Sequence, residues 1–503
     1  MALFVTTKAS ATRHGVFAVE KVPPALVTPA GFGTAAIIEQ FPWGPAQTLT
    51  TPTRRGELLQ MIAPAGMSRT GSGYMAVIRK GFPTLKFVRV IDPTAVTASA
   101  TINKTGPTAL IVVTLKYPGT AGNSVSITIS AASDGDANHF NITATVTGAS
   151  GTTSETIHNY NVSGTGADTV LTTADLQRLK LIGSVTKSSA GVPILGSTTC
   201  SGGTDGTIDA TTYVGTAGSN DKGVAKLEGD KTIDHFFCGD PGNSIRAAVN
   251  AGLKAHADYM TDRVAYLNGN SALTVAQAQT DVANYRSQRV VYCDPWAYVY
   301  DDVDGTKRLV PTASFAGSVA SQLPPSTSIG WKSDVVISML GGIVELEADR
   351  GEATSTNTTA GIATFIREEN GGFTIEAGVT TIAPTTPAKK NLTRTRMGHY
   401  IARTLTTALR PMTDMPNIPV YQQDVIDAVT GFMQRLKSNA ERDDAVLLPH
   451  VLNYAIGDIS AENTQSELDG GDFSVPLDAK ISSSMERIFL NMNFGETVQI
   501  TAE

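Results

Sequence analysis

The sequence predicts a mixed α/β (α+β) protein: a discontinuous α/β core, one inserted β-rich domain, and extended strand arms at both ends. Three observations predict it. Strand-like and helix-like segments alternate from Ile233 to Tyr300, the pattern of βαβ units with right-handed crossovers. Between Thr94 and Asn220 the composition changes, with 40 of 127 residues Ser or Thr and only five Lys or Arg. Period-2 alternation marks both ends, in Gly15-Val16-Phe17-Ala18-Val19-Glu20 and in Val498-Gln499-Ile500. A chain of 503 residues is too long for one hydrophobic core. The expected division is an N-terminal arm at 1–20, the first part of the core at 21–93, the insert at 94–220, an α/β region at 221–390, a C-terminal helical and αβ region at 391–487, and a C-terminal arm at 488–503.

Each element has a local reason. In the insert, Val125-Ser126-Ile127-Thr128-Ile129 and Ile142-Thr143-Ala144-Thr145-Val146 alternate apolar and hydroxyl side chains between Gly and Asp-Gly turns, which reads as half-buried strands. Regular Val and Ile spacing argues against a disordered linker. Ile233 to Phe237 is a short apolar run followed by the turn Gly239-Asp240-Pro241-Gly242, with Asn243 and Ser244 as N-cap candidates. Ile245, Val249, Gly252/Leu253, His256, Met260 and Val264 then recur at three and four residues, giving an amphipathic helix. Val264 to Leu267 is a strand, Thr274 caps a helix reaching about Tyr285, and Val290 to Tyr292 and Ala297 to Tyr300 are further strands. Residues 345–390 return to Gly- and Thr-rich strands and turns, including Gly372-Phe373-Thr374-Ile375-Glu376. Two helices follow, one with the stripe Met397, Ile401, Leu405, Ala408, stopped by Pro411, the other with Val425, Val429, Phe432/Met433 and Leu436. Ile488 to Met492 and Val498 to Ile500 end the chain as strand-like segments. An unpaired strand is an adhesive edge. The pattern alone leaves open whether the arms pair within their own chain or add strands to a neighbour.

The search for chemistry finds no seat for catalysis. No GxxxxGK[ST], HExxH or GxSxG motif occurs. Gly71-Ser72-Gly73-Tyr74-Met75-Ala76 loosely fits GxGxxA but follows no convincing strand, so it reads as a turn. The Gly239 to Ser244 turn has the position of an anion site at a helix N-terminus, and a capped turn explains it better. Asp301, Asp302, Asp304 and Gly305 share part of the calcium-loop pattern, but no acidic residue closes it, Pro311 and Thr312 standing where it should be, and a hairpin turn suffices. His14, His139, His158, His235, His256, His399 and His450 form no pair at helical ligand spacing, and Cys200, Cys238 and Cys293 form no CxxC. The cysteines read as small buried residues in a reducing compartment. Trp43, Trp296 and Trp331 read as core anchors beside Pro or Gly turns. Arg394, Arg396, Arg403 and Arg410 punctuate one helix, and at a net charge of −7 they suit ion pairs better than a nucleic-acid groove. No catalytic residue, cofactor or metal site is expected. Neither a secretory signal nor an apolar run long enough for a membrane helix is visible, which predicts a chain folded in a cytoplasm with no membrane insertion and no nucleic-acid partner.

Several segments, in order, resemble the contractile-tail sheath proteins of bacteriophages and related injection machines. Gly33-Thr34-Ala35-Ala36-Ile37-Ile38 leads to Phe41-Pro42-Trp43-Gly44-Pro45, and Val88-Arg89-Val90 precedes the insert. Tyr117-Pro118-Gly119-Thr120-Ala121-Gly122-Asn123-Ser124 is similar to the family's Pro-Gly-x-x-Gly-Asn turn. Gly202-Gly203-Thr204-Asp205-Gly206, with Tyr213-Val214-Gly215, is similar to its Gly-Gly-x-Asp-Gly element. Tyr292-Cys293-Asp294-Pro295-Trp296, Val310-Pro311-Thr312-Ala313-Ser314-Phe315-Ala316-Gly317, Leu392-Thr393-Arg394-Thr395-Arg396-Met397 and Pro416-Asn417 continue the series. The sequence departs from the family where Ser321-Gln322-Leu323 stands for an Arg-Thr-Asp, and at the start, where His14-Gly15-Val16-Phe17 stands for Pro-Gly-Val-Tyr.

The resemblance implies a structural subunit and not an enzyme. It would be a homo-oligomer of hexameric rings stacked helically around a tail tube, contracting to drive the tube through the host envelope for genome ejection. It implies a location in the virion tail, assembled in the host cytoplasm, with tail tube, baseplate and tail terminator proteins as partners. It also implies inter-subunit strand arms carrying Gly15, Val16, Phe17, Val19, Val498 and Ile500, and a tube-facing or inter-subunit basic helix carrying Arg394, Arg396, Arg403 and Arg410. The alternatives are a nucleotide-binding α/β enzyme, a β-rich adhesin or tail fibre, and the sheath of a bacterial injection system or tailocin.

Overall fold

The computed structural model describes residues 31–62, 64–67, 84–106, 108–148, 150–163, 173–301, 305–330, 334–369, 371–382, 390–413, 415–438 and 451–481, and the backbone of two short strands at 4–5 and 18–19. Those two, β1 (Phe4–Val5) and β2 (Ala18–Val19), pair in parallel. The core opens with β3 (Thr34–Glu39), β4 (Leu49–Thr50), α1 (Arg55–Ile62) and β5 (Thr84–Arg89). All six residues of β3 are buried, as a strand covered on both faces requires.

The chain then leaves the core. β6 (Ser99–Asn103), β7 (Ala109–Leu115), β8 (Ser126–Ala131), β9 (His139–Gly148), β10 (Gly151–Asn161), α2 (Thr173–Arg178), β11 (Ile182–Lys187) and β12 (Gly196–Thr199) build two antiparallel sheets, ordered β10-β9-β8-β12 and β11-β7-β6. Along β9, Phe140, Ile142, Ala144 and Val146 point into the space between the sheets. The intervening residues face solvent, where Thr143–Thr156, Thr145–Ser154 and Thr147–Thr152 hydroxyls pair across β9 and β10 at 2.9–3.1 Å. The high Ser/Thr content is thus the outer half of an alternating pattern. After α3 (Ala210–Val214) the chain is already back in the core, because Ile208, Ala210 and Tyr213 pack with central-sheet residues. The composition break at 220 therefore lies beyond the structural return of the chain.

The second half supplies β13 (His235–Cys238), α4 (Asn243–Met260), β14 (Val264–Asn268), α5 (Val275–Val282), β15 (Val290–Asp294), β16 (Ala297–Tyr300), β17 (Lys307–Val310), α6 (Thr312–Gln322), α7 (Asp334–Met339), β18 (Ile343–Leu346), α8 (Thr354–Ala360), β19 (Ile362–Arg367) and β20 (Phe373–Ile375). The central sheet runs β20-β19-β15-β14-β13-β3-β5-β4, parallel from β19 to β5 with an antiparallel strand at each edge. Successive residues feed opposite layers. Ile37, Phe237, Tyr266 and Val291 meet α6 and α1 on one face. Ile38, Phe236, Leu267 and Val290 meet α4 and α5 on the other. α6 lies so close to the sheet that a Cβ on Gly317 would enter the Phe237 ring, which only glycine avoids.

The hairpin expected around Gly305 is present as β16 paired antiparallel with β17. Its tip, with Asp302 and Asp304, lies outside the described residues, while Asp301 pairs with Arg308 at 3.2 Å. Two local readings are corrected. The N-cap of α4 is Gly242, not Asn243 or Ser244. The Asp240 carboxylate, two residues back, accepts the Gly242 N–H at 2.8 Å and so does what a capping side chain would do. Thr354–Ala360, read as turn and strand, is a helix. Its Asn357 is fully buried and receives the Gln279 amide at 3.0 Å, so a tertiary contact overrides weak propensity.

The C-terminal part consists of α9 (Leu392–Leu409), α10 (Pro419–Ser438), β21 (Val451–Ile456), α11 (Ile459–Glu462), α12 (Gln465–Asp469) and β22 (Leu477–Ile481). Asn391 caps α9, and Pro411 sits in a 3-10 turn at Arg410–Met412 just past its end. Met397, Ile401, Val429, Phe432, Met433 and Val451 form a separate hydrophobic core.

Candidate functional site

Four of the segments singled out along the sequence, around Trp43, Arg89, Gly119 and Gly203, converge on one place, the neck where the insert leaves and rejoins the core. Arg89, at the end of β5, is 1% exposed. It donates to the carbonyls of Phe41 at 2.8 Å, Gly44 at 2.9 Å and Pro42 at 3.0 Å. Burial pulls its guanidinium down to about 10, and the nearby Asp205 works against that pull. Asp205 in turn accepts the Thr120 N–H at 3.0 Å and the Thr120 hydroxyl at 2.5 Å. Trp43 reaches from the core into the insert's hydrophobic cluster, donates its indole N–H to Lys180 at 3.2 Å, and packs edge-on against Tyr117. A Cβ on Gly119 would meet Arg89 and Asp205, and one on Gly203 would meet the Gly119 backbone. Both positions leave no room for a side chain, Gly119 because of the Arg89 and Asp205 side chains and Gly203 because the two loops touch backbone to backbone. Such a neck fixes the insert's orientation on the core.

The basic helix divides. Arg396 is 5% exposed and donates to Ala320, Leu323 and Thr327 carbonyls at 2.6–2.8 Å. Arg403 pairs with Asp234 and donates to Ile233 and Asp262 carbonyls. Both bind α9 to its own chain. Arg394 is half-buried and Arg410 exposed. Val19 lies in β2, paired with Val5 of the same chain. Gly15, Val16, Phe17, Val498 and Ile500 lie outside the described residues, as do Gly71 to Ala76, His14, His450 and Trp331. β21 and β22 form a two-stranded antiparallel sheet whose outer edges carry no further strand among the described residues.

The fold has relatives among solved structures. The chain is similar to the sheath tail protein from Desulfitobacterium hafniense, at 13% identity and a TM-score of 0.60 over 88% of this chain and 93% of that one. It is similar to the sheath tail protein from Listeria innocua, at 14% identity and a TM-score of 0.59 over 86% and 90%. It is also similar to the helical sheath of the anti-feeding prophage in its contracted state, at 13% identity and a TM-score of 0.53 over 96% and 99%. The chain has the sheath-protein fold. No protein-family model matches it, and no curated protein matches it.

Within the sheath fold, the crevice where a doubly wound sheet would hold a nucleotide is filled by the chain itself. It lies at the carboxyl ends of β3 and β13, where the strand order reverses. Glu39, Tyr213 and Arg246 are buried there. Arg246 stacks on Trp296 at 4.4 Å and pairs with Asp240. The anion at the N-terminus of α4 is that same Asp240. Burial pushes the Tyr213 hydroxyl and the Cys238 thiol well above their ordinary ranges. Among the described residues no group of three or more His, Cys, Asp or Glu is placed to hold a metal, and no helix is long and apolar enough to cross a membrane. Cys200, Cys238 and Cys293 are free thiols and buried. Trp296 is a core anchor, donating to Gly269 at 3.0 Å.

Sequence reasoning missed Asp234, Asn268 and Arg350. Asn268 ties β14 to β15 and to α6, donating to the Cys293 carbonyl at 2.7 Å and accepting the Ala313 N–H at 2.6 Å. Arg350 pairs with Asp294 at 2.8 Å. A polar residue at the edge of an apolar run, Asp234 just before β13 and Asn268 at the end of β14, was the available signal.

Proposed function

We propose that the chain is the structural subunit of a contractile tail sheath. Subunits stack as hexameric rings around a tail tube, held in an extended metastable state, and contract to drive the tube through the host envelope for genome ejection. The observation that carries this reading is the likeness to a contracted helical sheath over 96% of this chain and 99% of that one. The closed crevice at the sheet's carboxyl ends agrees with a mechanical rather than a catalytic role. The energy of the stroke comes from a lower-energy packing reached over a kinetic barrier, with no nucleotide consumed. The arms at 1–20 and 488–503 complete a neighbour's sheet, and the open edges of β21 and β22 are the surfaces suited to receive them, since an unpaired edge offers a full row of N–H and C=O groups. The tail tube, baseplate and terminator are the expected partners, and the tail is the expected location. Electron microscopy of the purified chain tests the reading. Rings or tubes of tail width are expected, and a stable monomer at high concentration overturns it.

A further inference from the structure

The α9–α10 unit owns its hydrophobic core, while Leu392, at the start of α9, belongs to the core on the central sheet. Beyond Leu392, α9 crosses the amino ends of β13 and β14 on a set of polar contacts, with Tyr400 edge-on against Phe32 beside them. Arg403 holds Asp234 and two carbonyls, Arg396 holds one carbonyl in the last turn of α6 and two just beyond it, and two histidines sit between them. His235, on β13, is 3% exposed, with its Nδ1 3.1 Å from the Tyr266 hydroxyl of β14. His399, on α9, lines the same cleft together with Phe32, Gly33 and Pro325. The charged groups facing the pair are Arg396 and Arg403 from α9, Asp234 from the approach to β13, Asp262 and Arg263 from the approach to β14, and Arg289 from the approach to β15. Arginines outnumber aspartates in that set, so any added positive charge is opposed.

We propose that this joint is a proton-operated latch: protonation of His235 or His399 releases α9 from the sheet ends while the central sheet stays folded. Burial, reinforced by the arginines, holds His235 well below the usual imidazole range and His399 at about 3. Both are therefore neutral while the joint is closed. An opening that wets them restores an ordinary affinity for protons, so below about pH 6.5 opening becomes easier by about tenfold per pH unit for each histidine. Asp234, which burial pushes above the ordinary carboxylate range, has the higher proton affinity in the closed state, so acid acting through it opposes opening. A response that survives without the histidines therefore cannot come from it. The latch does not depend on the sheath reading.

Hydrogen exchange of the full chain at pH 7.5 and 5.5, corrected for the intrinsic rate, tests it. Protection over 392–409 should fall by at least about tenfold while β13, β14 and β15 keep theirs. The double variant His235→Phe/His399→Leu should keep α9 protected at both pH values. Should that variant not fold, His399→Gln, at the more accessible of the two positions, should halve the pH slope. The latch is overturned if α9 stays protected at pH 5.5, if α9 and the central strands open together, or if the slope is unchanged in whichever variants fold.

Discussion

The side chain of Asn123 forms a two-way bridge with Gly203: its Nδ2 donates to the Gly203 carbonyl at 2.9 Å while its Oδ1 accepts the Gly203 N–H at 2.8 Å. Eighty residues separate the two in sequence, so one amide clamps the way out of the core to the way back. Asn123→Ala leaves the buried Gly203 amide and carbonyl unsatisfied, at about 1–3 kcal/mol. Thermal unfolding should show that loss, and amide exchange should rise across the insert before the central sheet. Equal loosening of both would mean that the neck does not govern the insert.

The Asp294–Arg350 pair is 7% exposed on each side, and Arg350 also donates to the Leu273 carbonyl at 2.6 Å. Removing the carboxylate alone strands a buried cation. Asp294→Ala should therefore cost about 3–5 kcal/mol, and the double variant Asp294→Ala/Arg350→Met should recover most of it. Denaturant unfolding of the two variants measures the difference, and an equal loss in both would contradict the coupling.

His256 on α4 packs edge-on against Phe236 at 5.2 Å, and burial pulls its imidazole down to about 3. The Glu228 carboxylate, 4.0 Å away, is beyond hydrogen-bond reach. Because the folded pKa lies below the unfolded value of about 6.5, the stability it protects is complete above pH 6.5. That stability falls as the pH drops from 6.5 towards 3, by about 1.4 kcal/mol per unit. His256→Gln should remove one proton from the acid slope of the unfolding free energy. An unchanged slope would place a charged His256 in the native state.

Truncation separates the arms from the core. Deleting 1–20 or 490–503 should abolish assembly and leave the far-ultraviolet circular dichroism of the core nearly unchanged. Tubes that still form from either truncated chain would rule out strand exchange by that arm.

Much of the architecture was legible because it rests on periodicity. The α4 stripe, the capping Thr274 of α5, the alternation of β9 and the hairpin at Gly305 are local patterns, and local patterns survive folding. The neck was legible only as a list of motifs. Nothing in Val88-Arg89-Val90 says that Arg89 reaches Phe41, Pro42 and Gly44, because those contacts depend on how three distant segments meet. The intrachain contacts of Arg396 and Arg403 were hidden for a related reason: at three to four residues from apolar neighbours, an arginine on the solvent side and one bonded to its own chain's carbonyls have the same spacing. The helix at Thr354–Ala360 was illegible because a buried amide, not its propensity, holds it.

The ladder of Thr and Ser hydroxyls across β9 and β10 gives the insert a face whose polar groups bond to one another rather than to ions. Such a face gathers no counterion cloud and repels no like-charged copy, so its behaviour changes little with ionic strength. Whatever meets that face meets it without an electrostatic toll that varies with the medium.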